Sequence, residues 1–149
     1  QREGIKEMCR VARKRIVIVT YDPRVSNRMW LLSDYLRETA ELDSQIFPLP
    51  ETICEWLDCE TQIETIPIPI DTPDWTLMSF WGHPERVLDS AARAATSGFA
   101  RQPADVVQRV VSDVARDLKS GRWDEQYGHL RNLSEFDAGL RIITADIVQ

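Results

Sequence analysis

The spacing of hydrophobic residues changes several times along the chain, and each spacing predicts a different kind of element. Residues 2–13 place apolar side chains three and four positions apart, which predicts an amphipathic helix with the stripe Ile5, Met8, Cys9 and Ala12. Residues 16–20 are instead a continuous run, Ile-Val-Ile-Val-Thr, which is typical of a strand buried on both faces. Pro23 favours a turn, so this strand ends near Asp22.

A second series of elements follows this helix and strand. Ser26 or Asn27 can cap a helix that runs to about residue 41. Further elements are predicted as helices at 50–59, 84–97 and 103–119, a short turn at 122–127, a loop at 128–136 and a last strand at 138–146. The helix at 103–119 has the clearest pattern and stops at Gly121, and Gly98 is expected to cap the helix before it.

Residues 62–70 predict a strand at the edge of a sheet. In its second half, isoleucines alternate with Pro67 and Pro69. Alternate residues of a strand aim their N–H groups at the same side, so two prolines at this spacing block one edge only. The other edge can still pair with a neighbour.

Composition and charge narrow the class of protein. The 149 residues, 43% of them hydrophobic, suffice for one domain with its own core, and a net charge of −6 argues against binding to nucleic acid or a membrane surface. No apolar run approaches the roughly 18 residues of a membrane span and no signal peptide opens the chain, so we expect a cytoplasmic location. Because the sequence begins with Gln1, we interpret it as a fragment or a processed product.

Few residues indicate a particular chemistry. The six glycines are isolated, so no Gly-rich loop is available to cradle a phosphate or a nucleotide. His83 and His129 have no evident nucleophile partner and no serine lies in a nucleophile elbow, which disfavours a hydrolase. Three cysteines without a nearby histidine predict free thiols and no metal site. No catalytic residue can be assigned.

Several short segments nevertheless follow a known order. The helix ends in Glu-Met-Cys-Arg-Val-Ala at 7–12, the strand ends in Thr-Tyr-Asp at 20–22, and residues 67–74 follow the pattern P-x-P-x-D-x-x-D. Further matching positions are Trp30-Leu31-Leu32, Asp34-Tyr35, Trp81, Pro84, Glu85, Leu88, Asp89, Gly121, Trp123, Asp124, Gly128 and residues 137–142. In this order the chain resembles the C-terminal half of a class I S-adenosylmethionine-dependent methyltransferase of the small-molecule, or type 11, branch found in bacteria. It departs from that pattern at Thr72 and Trp75, where Cys and Gly are common.

The resemblance implies an α/β fold. The three strands would be the fifth, sixth and seventh of a Rossmann-like sheet, lying side by side in the order fifth, seventh, sixth. Residues 1–149 would form a single domain or half-domain, in which 71–135 are a mostly helical insertion between the last two strands. The first four strands and their cofactor-binding loop would lie in an N-terminal half, through which S-adenosylmethionine would be bound. The exposed edge of strand 16–20 would then favour a homo-oligomer.

The resemblance also implies a pocket for a small-molecule methyl acceptor, because ligands of open α/β sheets bind beyond the carboxyl ends of parallel strands. Its residues would be Tyr21, Asp22, Met29, Trp30, Asp71, Asp74, Trp75 and Trp81. Asp22, or Asp71 together with Asp74, would position the acceptor. For each of these acids a role in turns and helix caps remains the alternative. The alternative function for the chain is a non-catalytic interaction or dimerisation module derived from the same fold.

Overall fold

A computed structural model describes residues 1–147 of the chain. Its α-helices and strands, in chain order, are α1 (Arg2–Val11), β1 (Arg15–Tyr21), α2 (Pro23–Ser26), α3 (Arg37–Ile46), α4 (Pro50–Leu57), β2 (Thr61–Thr65), β3 (Ile68–Pro69), α5 (Ser90–Ala94), α6 (Ser97–Ala100), α7 (Ala104–Ser120), α8 (Arg122–Tyr127), β4 (Glu135–Phe136) and β5 (Leu140–Asp146). Short π or 3-10 turns cover Leu31–Tyr35, Leu77–Phe80, Pro84–Val87 and Gly128–Asn132. No helix within residues 1–147 has the length and apolar character needed to cross a membrane.

Three strands form the main sheet, in the order β1-β5-β2. The central strand β5 is antiparallel to both neighbours, pairing Ile143 with Ile18 of β1 and with Ile63 of β2. Strands β1 and β2 therefore run parallel to each other, and both are edge strands among the described residues. Strands β3 and β4 form a separate two-stranded ladder.

One face of the main sheet is covered by α1 and α4. Paired residues of an antiparallel sheet share a face, so the Ile18–Ile143 pair and its alternate neighbours point to the same side. There they meet apolar side chains of both helices in a buried cluster of Ile5, Ile16, Ile53, Leu57, Ile143 and Ala145. The predicted helical stripe around Ile5 therefore exists to cover this face.

The opposite face of the sheet is open, which corrects the prediction that residues 16–20 are buried on both faces. Val17 and Val19 are 54% and 63% exposed. Their partners on the same face, Thr144 and Ile142, are only partly buried. The β-branched run does encode a strand, but within residues 1–147 its second face is packed at the Tyr21–Leu140 end and stays open at Val17 and Val19.

The remaining elements enclose a second and larger core. The long helix α7 contributes Val110 and Val114 to it, and α8 contributes Trp123. Gly121 ends α7 in the left-handed conformation, with a φ of 82°, which confirms the predicted stop. The predicted turn at 122–127 is a further short helix, because the chain resumes helical geometry directly after Gly121.

Two predicted elements are split in the structure. The strand expected at 62–70 divides into β2 and β3, because Pro67 has no N–H and interrupts pairing after Ile66 donates to the carbonyl of Leu140. The edge position of β2 is observed, although neither proline lies within it. The helix expected at 84–97 is a 3-10 turn followed by α5 and α6, with Asp89 capping α5 and Gly98 inside α6.

The helix expected from residue 26 to 41 is also divided. The cap is Asp22, which accepts from the backbone N–H of Arg24 at 2.9 Å and starts α2, so neither Ser26 nor Asn27 has the predicted role. A π turn follows at Leu31–Tyr35, and α3 continues to Ile46, five residues beyond the expected end. The helix is interrupted at Leu36, whose φ of −114° and ψ of 53° lie outside the helical region.

Candidate functional site

A cavity of about 290 Å³ lies beyond the carboxyl end of β1. Tyr21, the last residue of β1, forms part of its wall, and the other walls come from α3, from residues 76–78 and from the α5–α6 region. Its volume is near the lower end of the range of about 300–1,000 Å³ seen for small-molecule sites. Because it lies beyond the carboxyl end of β1, the cavity is in the place where open α/β sheets bind ligands.

Helix α3 supplies one long wall of the cavity. Thr39, Leu42, Asp43 and Ile46 are spaced at i, i+3, i+4 and i+7, so they share one face of this helix. The Thr39 hydroxyl donates to the carbonyl of Gly98 at 2.9 Å, which ties α3 to α6 across the cavity. The width of the cavity is thus fixed by a hydrogen bond between two helices.

The titratable groups of the lining are one phenol, one carboxyl and one guanidinium, and the other polar side chains are hydroxyls of Ser and Thr. Burial raises the pKa of the Tyr21 hydroxyl, and the nearby charges of Asp74 and Asp43 raise it too, so the phenol is protonated at neutral pH. Burial also raises the pKa of the Asp43 carboxyl, while the positive charge of Arg101 partly offsets this effect. Within residues 1–147, the Asp43 carboxyl forms no ion pair, and the charged side chain nearest in effect is that of Arg101.

Packing around Tyr21 holds its ring in place. Tyr21 and Phe47 are edge to face, with ring centroids 6.2 Å apart. On the opposite wall, Leu77 packs so closely on Gly98 that a Cβ at position 98 would lie 2.5 Å from Leu77 Cδ2. These contacts make the cavity a preformed feature of the fold.

Of the eight residues predicted for the pocket, Tyr21 lines the cavity. Its neighbour Asp22 is buried and turned away into the cap of α2, where its carboxylate binds the Arg24 guanidinium at 2.7 Å. Arg24 also binds Glu51 of α4 at 2.8 Å. Asp22 therefore has the cap role that was the alternative for it, and it links β1, α2 and α4.

Three other predicted residues lie in the second core. Met29, Trp30 and Trp81 are each 1% exposed or less and do not line the cavity. The indole Nε1 of Trp30 donates to the backbone carbonyl of Trp81 at 2.8 Å, which joins two of them directly. The Trp81 ring stacks on Phe136 with centroids 5.3 Å apart. In this structure these side chains hold the fold together around the site.

The last three predicted residues lie in the segment that leads into the cavity wall. Asp71 and Asp74 are exposed, and Asp74 is near enough to influence the pKa of Tyr21. Trp75 is partly exposed, with the Arg86 guanidinium 5.9 Å from its ring centroid, and it directly precedes Thr76 of the cavity lining. The structure thus brings Asp74 to Tyr21 but leaves Asp71 at the surface.

Asp43, Phe47 and Arg101 were not found from the sequence. A signal was available for Asp43, because it is the one acid on the apolar face of α3 formed with Leu42 and Ile46. A helix that is predicted to end at residue 41 does not include Leu42, Asp43 and Ile46, so this face is not recognised. Arg101 reaches the cavity only because α5 and α6 fold back onto α3, which no local pattern indicates.

Within residues 1–147, no Gly-rich turn offers its backbone to a nucleotide-like cofactor. Gly82, Gly98 and Gly139 make close contacts with side chains or backbone of the fold itself, and none belongs to a Gly-rich turn that could approach a ligand. A second cavity of about 250 Å³ is lined by Cys59, Glu60, Gln62, Thr144 and Asp146, a set without any positive group. Within residues 1–147, no group of three or more His, Cys, Asp or Glu side chains is arranged to hold a metal ion.

Comparison with known proteins gives one informative similarity. No protein-family model matches the chain, and a search of curated proteins finds no significant match. Among solved structures, the chain is similar to a protein of Anabaena variabilis ATCC 29413 described as a "putative methyltransferase from antibiotic biosynthesis pathway". The two share 30% sequence identity with a TM-score of 0.86 over 97% of this chain and 60% of that one.

This similarity establishes a methyltransferase-like, mixed α/β fold for the chain. The 149 residues span 60% of the length of the Anabaena protein. Part of that protein therefore has no counterpart in this sequence.

Proposed function

We propose that the chain is the substrate-side half of an S-adenosylmethionine-dependent methyltransferase that acts on a small molecule. The observation that carries the proposal is the similarity over 97% of this chain to 60% of a methyltransferase-like structure. In this proposal β1, β2 and β5 correspond to the fifth, sixth and seventh strands of the methyltransferase sheet. Their observed order, with β5 antiparallel between the other two, is compatible with that correspondence.

The unpaired edge of β1 supports this assignment. β1 pairs with β5 on one side, and no described strand lies on its other side. An edge of seven residues without proline is an efficient site for adding a further strand. We propose that a cofactor-binding half extends the sheet at this edge.

The open sheet face supports it as well. Val17 and Val19 are more than half exposed, although β-branched residues in a strand usually pack against a second layer. Covering them would contribute roughly 1 kcal/mol each, since a fully buried valine contributes about twice that. The proposed cofactor half would supply both the missing strand and the missing layer.

Titration calorimetry with S-adenosylmethionine tests the proposal. The 149-residue chain is titrated beside a longer chain that includes the upstream coding sequence. We expect binding by the longer chain alone, because residues 1–147 lack a Gly-rich cofactor turn. Micromolar binding to the 149-residue chain would contradict the assignment to the substrate side, and binding by neither chain would remove the cofactor from the proposal.

The second candidate function is a non-catalytic interaction or dimerisation module, and the same open edge favours it. A second copy could pair along β1, which would place the exposed valines of the two copies side by side on one face of the joined sheet. Light scattering at micromolar concentration should then give a dimer that Val19→Lys converts to a monomer. Val11→Lys is the matched control, because Val11 is similarly exposed but lies on α1. A monomeric wild-type chain would exclude this candidate.

A further inference from the structure

We infer that the cavity between β1 and α3 binds the amino group of a small amine with an aromatic or aliphatic body, seated against the carboxylate of Asp43. The inference rests on the proposed function, since it names the chemical class of the methyl acceptor. All the residues that would contact the amine belong to this chain.

The apolar lining selects the body of the ligand. Leu42, Ile46 and Phe47 form one side, and Leu77 and Met78 form the other. Side chains of this kind bury a ring or a short alkyl chain without needing polar groups. At about 290 Å³ the cavity suits a compact ligand with one ring.

The carboxyl of Asp43 selects the head group. It is half-buried in the cavity wall, and no side chain among residues 1–147 donates a hydrogen bond to it, although Arg101 is close enough to act on it electrostatically. The carboxylate oxygens still reach solvent, so a ligand cation can approach them from the cavity. An ammonium group can pair with them through a charge-assisted hydrogen bond.

The charges around the cavity also favour a cation. Asp43 and Asp74 both act electrostatically on Tyr21, so two carboxylates lie near its hydroxyl. The positive group in the lining is Arg101, whose side chain is exposed and forms no ion pair with Asp43 within residues 1–147. Around the Tyr21 hydroxyl, two carboxylates therefore face the single guanidinium of the lining.

The test uses three probes that share one body and differ in the head group. 2-Phenylethylamine, 2-phenylethanol and phenylacetate are titrated into the 149-residue chain at pH 7, by calorimetry or ligand-observed NMR. We expect the amine to bind about tenfold more tightly than either other probe. Asp43→Asn should lower the affinity for the amine by about ten- to a hundredfold, which is the contribution of a charge-assisted hydrogen bond. The affinity for the alcohol should change by less than about twofold.

Two variants serve as controls. Glu41→Gln removes an exposed acid of the same helix that does not line the cavity, so the affinity for the amine should not change. Arg101→Gln removes the opposing positive charge, so the affinity for the amine should rise or stay constant. Thermal unfolding of each variant verifies that it is folded before its affinity is interpreted.

Three results would overturn the inference. Phenylacetate could bind more tightly than the amine and lose affinity in Arg101→Gln, which would assign the cavity to an anion. The amine could bind equally well to the wild type and to Asp43→Asn. The amine could also show no binding up to about 10 mM, which is weaker than any specific contact with a charged partner should give.

The cofactor plays no part in these titrations, so the two proposals can fail separately. Amine binding without cofactor binding by the longer chain would leave this site in place and refute the methyltransferase assignment. Cofactor binding by the longer chain without amine binding by the 149-residue chain would support the methyltransferase assignment and refute the amine site.

Discussion

Gly139 joins the main sheet to the turn beside the cavity, and replacing it tests how tightly that junction is built. It precedes β5 with a φ of 90°, a conformation that residues with a Cβ rarely adopt. Its carbonyl accepts from the N–H of Asp22 at 2.8 Å. A Cβ at this position would lie 2.8 Å from the backbone N of Ser26 and 3.0 Å from the carbonyl oxygen of Asp22.

The cost of Gly139→Ala follows from these contacts. The left-handed conformation costs a residue with a Cβ roughly 1–2 kcal/mol. Pushing aside two backbone groups that are themselves hydrogen-bonded costs roughly 1–3 kcal/mol more, as in an overpacked core. The lower entropy of the unfolded alanine chain returns about 0.4–1 kcal/mol. We expect Gly139→Ala to lower the free energy of unfolding by about 1–4.5 kcal/mol.

Gly121→Ala separates the two contributions. Gly121 has a φ of 82°, similar to that of Gly139, but a Cβ there would meet no atom within 4 Å. The free energy of unfolding of this variant should fall by only about 0.5–1.5 kcal/mol, because the added Cβ disfavours the backbone conformation but causes no steric clash. Gly4→Ala, in α1 with open space around it, should gain about 0.5–1 kcal/mol.

Urea unfolding measures the three variants. The midpoint should fall most for Gly139→Ala, less for Gly121→Ala and rise for Gly4→Ala, with an unchanged dependence on urea concentration. Equal losses for Gly139→Ala and Gly121→Ala would refute the reasoning, because they would show that the backbone of Asp22 and Ser26 yields at no cost. An unchanged Gly139→Ala midpoint would show that the turn is not built as described.

Three further substitutions concern buried polar groups. Tyr35→Phe should lower the free energy of unfolding by about 1–2 kcal/mol in urea, because it removes the 2.9 Å hydrogen bond to buried Asp117; an unchanged midpoint would contradict this. Arg24 holds the pKa of Asp22 below its ordinary value of 3.8, so this stabilisation is complete above about pH 4 and is lost as the pH falls through the lower pKa of the folded chain. Asp22→Asn should therefore destabilise the chain at pH 7 and flatten its acid unfolding curve, and an unaltered curve would count against the pair. Asp43→Asn should instead raise the free energy of unfolding at pH 7, because burial raises the pKa of this carboxyl and its ionised form therefore weakens the fold. A large loss of thermal stability in this variant would contradict the prediction.

The interaction of Asp22 with Arg24 shows how far a local pattern can be trusted. Asp before Pro23 marks a turn, and Asp22 is indeed buried at the start of α2. The resemblance placed the same residue in a substrate pocket, where the structure does not show it. Its second link, through Arg24 to Glu51, joins residues 27 positions apart and has no signature in the sequence.

Asp43 illustrates the opposite case, a candidate site residue that local pattern could have revealed. Its helical face was missed because α3 begins after a π turn at Leu31–Tyr35, which shifts the helical register between the two segments. A single helix predicted for 26–41 therefore ends before Leu42, Asp43 and Ile46, which form most of this face. Trp30 and Trp81, which were predicted for the pocket, are buried in the second core. Aromatic rings bury large apolar areas, so such a pattern of rings is equally compatible with a core position.

By itself, the sequence determined the elements whose signals are local. The amphipathic stripes of α1, α4 and α7, the β-branched run of β1 and the stop at Gly121 each follow from periodicity and backbone preference over a few residues. Only the tertiary structure decided that one face of β1 is open, that residues 62–70 divide between two sheets and that α3 and α6 enclose a cavity. A hydrophobic pattern records which side chains avoid water, whereas the layer that covers them and the strand that pairs with them are set by contacts between distant parts of the chain.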